Sequence, residues 1–282
     1  MVTIVADTTA GLPREMTTRL GIPLIPQIVI FGEDSYRDDT ELDTAAFLQK
    51  LKASKELPKT AAPPPALYNP IYEAAGQRGD SVIVIAPSGK VSGTVRAATV
   101  AAQDFPGVDV RVVDSLTIAG NLASLVLMAH AWAIAGLDAD TIVRRLDDWI
   151  VRGRIYFLVN TLEYLQKGGR IGGAKALVGE LLQVKPILSV QAGQVAPFEQ
   201  QRTKKRALAR LVEVVEGQCP RSTEAHLCVM QADAPEEAGA LATDLKARMN
   251  LTDIPIYELP PAIVVHAGPG VLAIGFFVQA SV

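Results

Sequence analysis

The sequence is poor in the groups that usually announce chemistry. Its two cysteines, Cys219 and Cys228, have a spacing that fits neither a zinc knuckle nor a redox CxxC pair. Buried free thiols in a reducing compartment are therefore expected. The three histidines, His130, His226 and His266, are far apart in the chain, and neither HExxH nor CxxC accompanies them. No metal site is expected. An excess of positive charge is missing too. With 27 basic and 30 acidic residues the formal net charge is -3, which supplies no global field for nucleic acid or an anionic membrane surface. At most transient membrane contact is expected. The opening MVTIVADTT has no basic n-region, apolar leader or small-residue cleavage site, so the expected location is the cytoplasm. One stretch, Ser115–Leu137, carries no charged residue and is long enough to cross a bilayer. Asn121, Ser124 and His130 interrupt it, and Asp114 and Asp138 flank it where basic anchors belong. A helix buried between a sheet and its neighbours accounts for the same pattern.

What the sequence does have is apolar content, 49% of 282 residues, enough to bury two cores of ordinary size. Apolar β-branched runs end in polar or glycine residues at Val2–Ala6, Ile25–Ile30, Ser81–Ala86 and Val108–Val113. Helical patterns at Pro65–Gln77, Ser92–Asp104, Thr117–Ala135 and Ala139–Val151 alternate with several of them, the last with Asp138 as its cap. The alternation predicts a parallel α/β sheet. LPKTAAPPP at 57–65 is predicted to be an ordered extended loop, because proline withholds donors and biases its predecessor to extended geometry. After Arg152-Gly153-Arg154 a second unit begins. Strands are expected at Ile155–Val159, Ala225–Met230, Ile254–Glu258 and Val271–Val278, and helices at Thr161–Gln166, Ala174–Leu182, Lys204–Glu216 and Pro235–Met249. A hairpin is expected from Pro186–Val190 and Val195–Phe198 around Gln191-Ala192-Gly193-Gln194. The reading is thus two α/β domains, 1–153 and 154–282, the first with a mainly parallel, doubly wound sheet.

In such sheets ligands bind beyond the carboxyl ends of the strands. Three strands here end in polar motifs: Asp7-Thr8-Thr9, Pro87–Thr94 and Asp114-Ser115. The middle one, PSGKVSGT, opens a helix and offers backbone N–H groups, hydroxyls and a positive dipole end to an anion. Helix capping by Ser92 or Thr94 explains the same residues. Lys90 is followed by Val91, so this is no P-loop, and Gly168-Gly169-Arg170-Ile171-Gly172-Gly173 lacks the dinucleotide spacing. The GxSxG elbow of a serine hydrolase is absent as well, since Gly89-Lys90-Val91-Ser92-Gly93 displaces the serine by one. A hydrolase acting on a lipid or small ester through Ser92 and His266, with Asp7 as third member, stays open as the alternative. His266 lies in HAGPG, a tight loop after the apolar run Ile263–Val265, where an imidazole can serve an anion or brace the loop. Arg170 sits among glycines, and Arg202 precedes a helix start rich in Lys204, Lys205 and Arg206, where cations oppose the macrodipole.

Taken together, VADTTAGL, the Thr60 loop, PSGKVSGT, VVDS, LEYLQKGGRIG, KPILSV, RTKKRAL and HAGPG resemble the DegV family of bacterial lipid-binding proteins, in the family's order along the whole chain. The resemblance implies two α/β domains with a long-chain fatty acid between them, its tail in an apolar tunnel. Thr60, Ser92 and His266 are then the carboxylate ligands, with Arg170, Ser88 and Gly93 in the head-group vicinity and Arg202 there or at a docking surface. It also implies a binding protein with no catalytic residue, metal or cofactor. A separate fatty-acid kinase subunit is the implied partner, to which some members present the carboxylate for conversion to acyl-phosphate. Two departures stand out: Thr60-Ala61-Ala62-Pro63 where the family loop continues Ser-Gln-Pro, and Gly11 at a commonly acidic position.

Overall fold

The computed structural model describes residues 1–178 and 184–280. In chain order its elements are β1 (Val2–Asp7), α1 (Arg14–Leu20), β2 (Leu24–Ile25), β3 (Ile28–Phe31), β4 (Asp34–Arg37), α2 (Thr44–Ala53), β5 (Lys59–Ala61), α3 (Asn69–Arg78), β6 (Ser81–Ala86), α4 (Thr94–Gln103), β7 (Val110–Asp114), α5 (Ala119–Ile134) and α6 (Ala139–Arg152). Then follow β8 (Gly153–Leu158), α7 (Glu163–Lys167), β9 (Lys185–Gln191), β10 (Gln194–Gln201), α8 (Lys204–Gln218), β11 (Cys228–Ala232), α9 (Pro235–Met249), β12 (Ile256–Glu258), α10 (Pro261–Ala267) and β13 (Val271–Phe277).

The first sheet has the order β2-β1-β6-β7 and is parallel throughout. Its strands are apolar on both faces because both are covered. Ile4, Ala6, Ile83 and Ile85 point to the side of α5 and α6, where they pack with Leu122, Leu125, Ile142 and Leu146. Val5, Val82 and Val84, one residue out of phase, pack with Tyr68, Tyr72, Ala97 and Ala98 on the other side. This is a doubly wound sheet. The second sheet has the order β10-β9-β8-β13-β11-β12 and is antiparallel except for β11 against β12. One face carries Tyr156, Leu158, Leu272 and Ile274 against Leu211 and Val215 of α8 and Leu241 and Leu245 of α9. The opposite face, with Ile155, Phe157, Met230 and Ala273, looks toward the first half of the chain.

Between the sheets runs α5. Every residue from Ala119 to Val126 is buried, and the helix touches β1 and β6 on one side and β8, β11 and β13 on the other. Its lack of charge reflects this sandwiching. No helix among the described residues is long and apolar enough to cross a membrane. Gly120 is required here, because a Cβ on it would stand 2.5 Å from Cys228 Sγ and 3.0 Å from Met230 Sδ. Both cysteines are buried and free, and burial pushes each thiol up to about 12.

Several elements differ from the sequence reading. The run Ile25–Ile30 is two strands in two sheets, broken at Pro26, which has no N–H to give a ladder. From there the chain leaves the parallel sheet and builds a small antiparallel one, β4-β3-β5, whose Val29 and Phe31 pack with Phe47 and Leu51 on the inner core of the second half. The 57–65 loop contributes β5 as an edge strand, a position that tolerates nearby proline. The hairpin turn is tighter than expected: Ala192 and Gly193 alone make it, with φ of 46° and 81°. His226 lies in a left-handed turn before β11 rather than in a strand, with its ring edge-on to Trp149 and Phe277. Of the helix expected at Ala174–Leu182, a 3-10 turn spans Gly172–Leu177, and 179–182 lie outside the described residues.

Candidate functional site

A cavity of about 130 Å³ lies between the inner face of the second sheet and the strand ends of the first. Thr60, Ser88, Ser92, Gly93, Arg170 and His266 all line it. Arg202 does not: it is exposed, just before α8. Apolar walls come from Ile155 and Phe157 of β8, Val190 of β9, Met230 of β11 and Val271 and Ala273 of β13.

His266 sits in the last turn of α10, not in a loop, because Pro261 at the first helical position starts a helix through the apolar run. Its Nε2 is 2.8 Å from Thr60 Oγ1, which β5 presents opposite Val29 of β3. Its Nδ1 is buried and has no partner. Gly168, capping α7, lies so close that a Cβ there would collide with Nδ1. Burial, reinforced by the charge of Arg170, lowers the imidazole to about 4, so it is neutral at pH 7. An orphaned buried N–H is the costlier vacancy, which places the proton on Nε2 and leaves a lone pair at Nδ1. Nε2–H then donates to Thr60, and the threonine hydroxyl hydrogen is left for an acceptor in the cavity.

The Ser92 turn is held from several sides. Ser88 N–H donates to Thr117 O at 2.8 Å, and Ser92 N–H donates to Ser88 O at 3.0 Å. Gly93 is the capping residue of α4, with no side-chain cap, while Ser92 Oγ lies 2.9 Å from Thr94 Oγ1 and accepts from Thr94 N–H at 3.3 Å. The hydroxyl therefore faces a polar neighbour as well as the cavity. A Cβ on Gly93 would come within 3.0 Å of Ala62 Cβ, so the departure at Ala61-Ala62 places a small side chain against a residue with none. Gly11 takes φ of 68° at the end of the turn after β1, a conformation suited to glycine.

Among the described residues, three hydrogen bonds between cavity-lining residues tie the two halves. Besides Thr60 to His266, Arg170 Nε donates to Val91 O at 3.0 Å and Ser88 Oγ donates to Gly193 O at 2.8 Å. Arg170 Nη1 also donates to Gly168 O at 2.7 Å, and burial lowers the guanidinium from its ordinary value. A weakly hydrated cation is thus fixed at the rim, where it favours an anion.

Behind Ser92 lies a polar network of which the sequence reading held only Asp7, as a strand-end acid and candidate triad member, and missed Gln27 and Asp38. Asp7, 1% exposed, accepts at Oδ1 from Thr9 N–H and Oγ1, and at Oδ2 from Gln27 Nε2 at 2.5 Å and Thr94 Oγ1 at 3.0 Å. Gln27 and Thr9 line the cavity. Asp38, also buried, accepts at Oδ1 from Thr8 Oγ1 and Gln27 N–H, both at 2.8 Å, and its Oδ2 has no partner. Desolvation pushes Asp7 up to about 6 and Asp38 up to about 7 despite these donors. The sequence signal was Pro26-Gln27, a polar break inside an apolar run.

No hydrolase triad is assembled among the described residues. His266 Nε2 meets Thr60, Ser92 meets Thr94, and Asp7 meets Thr9, Gln27 and Thr94; no hydrogen bond joins Ser92 to His266 or His266 to Asp7. Nor do any three His, Cys, Asp or Glu residues among those described form a metal-holding group.

Comparison with known proteins agrees along the whole length. The DegV family profile matches residues 1–279. A DegV domain-containing protein of Streptomyces coelicolor is 37% identical over 275 residues, 97% of each chain. Among solved structures, a fatty-acid-binding DegV family protein of Thermus thermophilus matches with a TM-score of 0.90 at 30% identity, over 99% of both chains. DegV of Bacillus subtilis, a fatty acid binding protein, matches with a TM-score of 0.88 at 32% identity, again over 99% of both. The chain belongs to the DegV family.

Proposed function

We propose that this protein binds a long-chain fatty acid between its halves, with the carboxylate held by Thr60, Ser92 and His266 and the tail along the inner face of the second sheet. We place the domain boundary at 153/154, where β8 begins the second sheet. The observation that carries the reading is the convergence of the three polar side chains, from β5, the turn before α4 and the end of α10, on one mainly apolar cavity. Each buried methylene contributes about 0.8 kcal/mol, so the tail supplies affinity and the polar end sets orientation. Thr60 and Ser92 contribute hydroxyls, His266 the neutral N–H that turns the Thr60 hydroxyl hydrogen into the cavity, and Arg170 positive potential at the rim.

The protein holds its ligand and leaves the chemistry to a partner. Gly93 and Lys90 are exposed beside Ser92, which puts the carboxylate end within reach of a separate kinase subunit that phosphorylates it to acyl-phosphate. Arg202, exposed near the start of α8, belongs to the docking surface in this reading. Mass spectrometry of an organic extract of the purified protein is expected to show one fatty acid per chain; no fatty acid, and no uptake of one when added, overturns the proposal. Ser92→Ala is expected to keep most of the lipid while kinase-dependent phosphorylation falls at least tenfold, because the lost contact orients the carboxylate rather than the tail. Equal losses in both measurements count against this division of labour.

A further inference from the structure

Counting hydrogens along the line from Asp7 to the cavity shows that one proton sets its direction. Thr94 Oγ1 has three polar neighbours: Gln27 Nε2 at 2.8 Å, Ser92 Oγ at 2.9 Å and Asp7 Oδ2 at 3.0 Å. The Gln27 amide nitrogen can only donate. When Asp7 is ionised it can only accept, so Thr94 spends its single hydrogen on Asp7. Thr94 Oγ1 then accepts from Gln27 and Ser92, and the Ser92 hydrogen points away from the cavity. A proton on Asp7 Oδ2 inverts the line: Asp7 donates to Thr94, Thr94 donates to Ser92, and the Ser92 hydrogen is released toward an anion.

We propose that Asp7 is a positioning residue for the bound carboxylate: it takes up one proton from solvent as the anion binds, and this turns the Thr94 and Ser92 hydroxyls so that Ser92 donates into the cavity. The proposal rests on the fatty-acid reading of the site. Charge is balanced, because the incoming carboxylate keeps its charge and the buried one is neutralised. Two buried carboxylates bracketing two hydroxyls is otherwise an arrangement of like charges in a medium that screens them poorly.

The surroundings favour such a proton. The titratable groups that face Asp7 are Asp38, whose own acidity is weakened by the charge of Asp7, and Tyr68, a fully buried phenol held well above its ordinary range. None of the ion pairs among the described residues includes Asp7. Gln27 bonds both acids, through its amide to Asp7 and its backbone N–H to Asp38, so their protons are shared properties of the pair. Only Asp7 touches Thr94. Without ligand His266 is neutral between pH 6 and 8, and a proton that it gained beside the bound anion would persist in Asp7→Asn.

The test is calorimetric titration of the delipidated full chain with decanoate from pH 6 to 8, a range in which the free ligand is ionised, repeated in buffers of different ionisation enthalpy. Wild type is expected to take up most of one proton per ligand at pH 7.5 and to bind about thirtyfold more weakly at pH 8 than at pH 6, as linkage requires of that uptake and within the range of one hydrogen bond to a charged group. Asp7→Asn has no proton to gain, and the Gln27 amide must turn to meet its nitrogen, so it is expected to bind without proton uptake and with an affinity that does not change between pH 6 and 8. Asp38→Asn keeps the uptake. Decanol, which has no charge to receive, is expected to bind wild type without uptake. Proton uptake that persists in Asp7→Asn places the proton on the ligand or on His266 and overturns the proposal, as does wild-type binding without uptake. Absence of binding by every variant at every pH instead overturns the fatty-acid reading beneath it.

Discussion

Replacing Gly168 by alanine is expected to cost about 1–3 kcal/mol of stability, the usual range for overpacking, and to raise the titration midpoint of His266 from about 4 toward the ordinary 6.5. The new methyl collides with His266 Nδ1 on one side and stands 2.9 Å from the Tyr164 carbonyl on the other. The carbonyl cannot yield, since it accepts from Gly168 N–H in the turn that ends α7. The imidazole must therefore move, breaking its bond to Thr60 and gaining water. Gly169→Ala is the matched control. Gly169 has φ of 72° and nothing within 4 Å of a built Cβ, so alanine there meets backbone strain of about 1 kcal/mol and leaves His266 alone. Histidine resonances followed by NMR, with urea melts on the same samples, separate the two variants. Matching histidine titrations in both would sink the idea that Gly168 is there to make room for the ring.

The pair shows how far a sequence carries such an argument. GGRIG was visible as a glycine cluster around Arg170, and its family resemblance placed it near a head group. That Gly168 rather than Arg170 touches His266 depends on α10 packing against α7, a contact between residues nearly a hundred positions apart. The parallel sheet was legible because its strands are apolar on both faces and end in polar motifs, which is local information. Thr60, Ser92 and His266 were legible one at a time, each with a structural explanation of similar weight; the fold brings them to one cavity. Helix α10 was not legible, since Ile263–Val265 alone suits a strand as well as a helix, and only Pro260-Pro261 marked its start. Arg202 was read from the unfavourable charge at a helix start, and that charge is met by solvent and by Lys204 pairing with Glu237. The acid pair was hidden most completely, because Asp7, Gln27 and Asp38 meet only after the chain leaves the parallel sheet at Pro26 and returns.

That acid pair should make stability depend on pH in a direction opposite to His266. Asp38 is 7% exposed and stands near 7, above its ordinary 3.8, so the stability it lends is complete below about pH 4 and is lost as pH rises through 7. At 1.36 kcal/mol per pH unit the loss is about 4 kcal/mol. His266, lowered to about 4, contributes stability that is complete above 6.5 and is lost as pH falls through 4. Across the same window the two effects offset, and wild type is expected to show a flatter profile than either group alone would give. Asp38→Asn separates them. The amide keeps the acceptor for Thr8 and Gln27, and the cost of its unpartnered N–H does not vary with pH. Urea denaturation at pH 4.5, 6 and 8 is expected to show the variant gaining on wild type by about 3 kcal/mol from the lowest pH to the highest, the rest of the loss lying below pH 4.5. Because one group differs, the change in the gap reports Asp38 and its coupling to Asp7, with the His266 contribution cancelling. Parallel profiles would mean that Asp38 Oδ2 is solvated in the native protein. In that event the Asp38 carboxylate would no longer oppose folding at neutral pH, and Asp7 alone would be left to take up a proton behind Ser92.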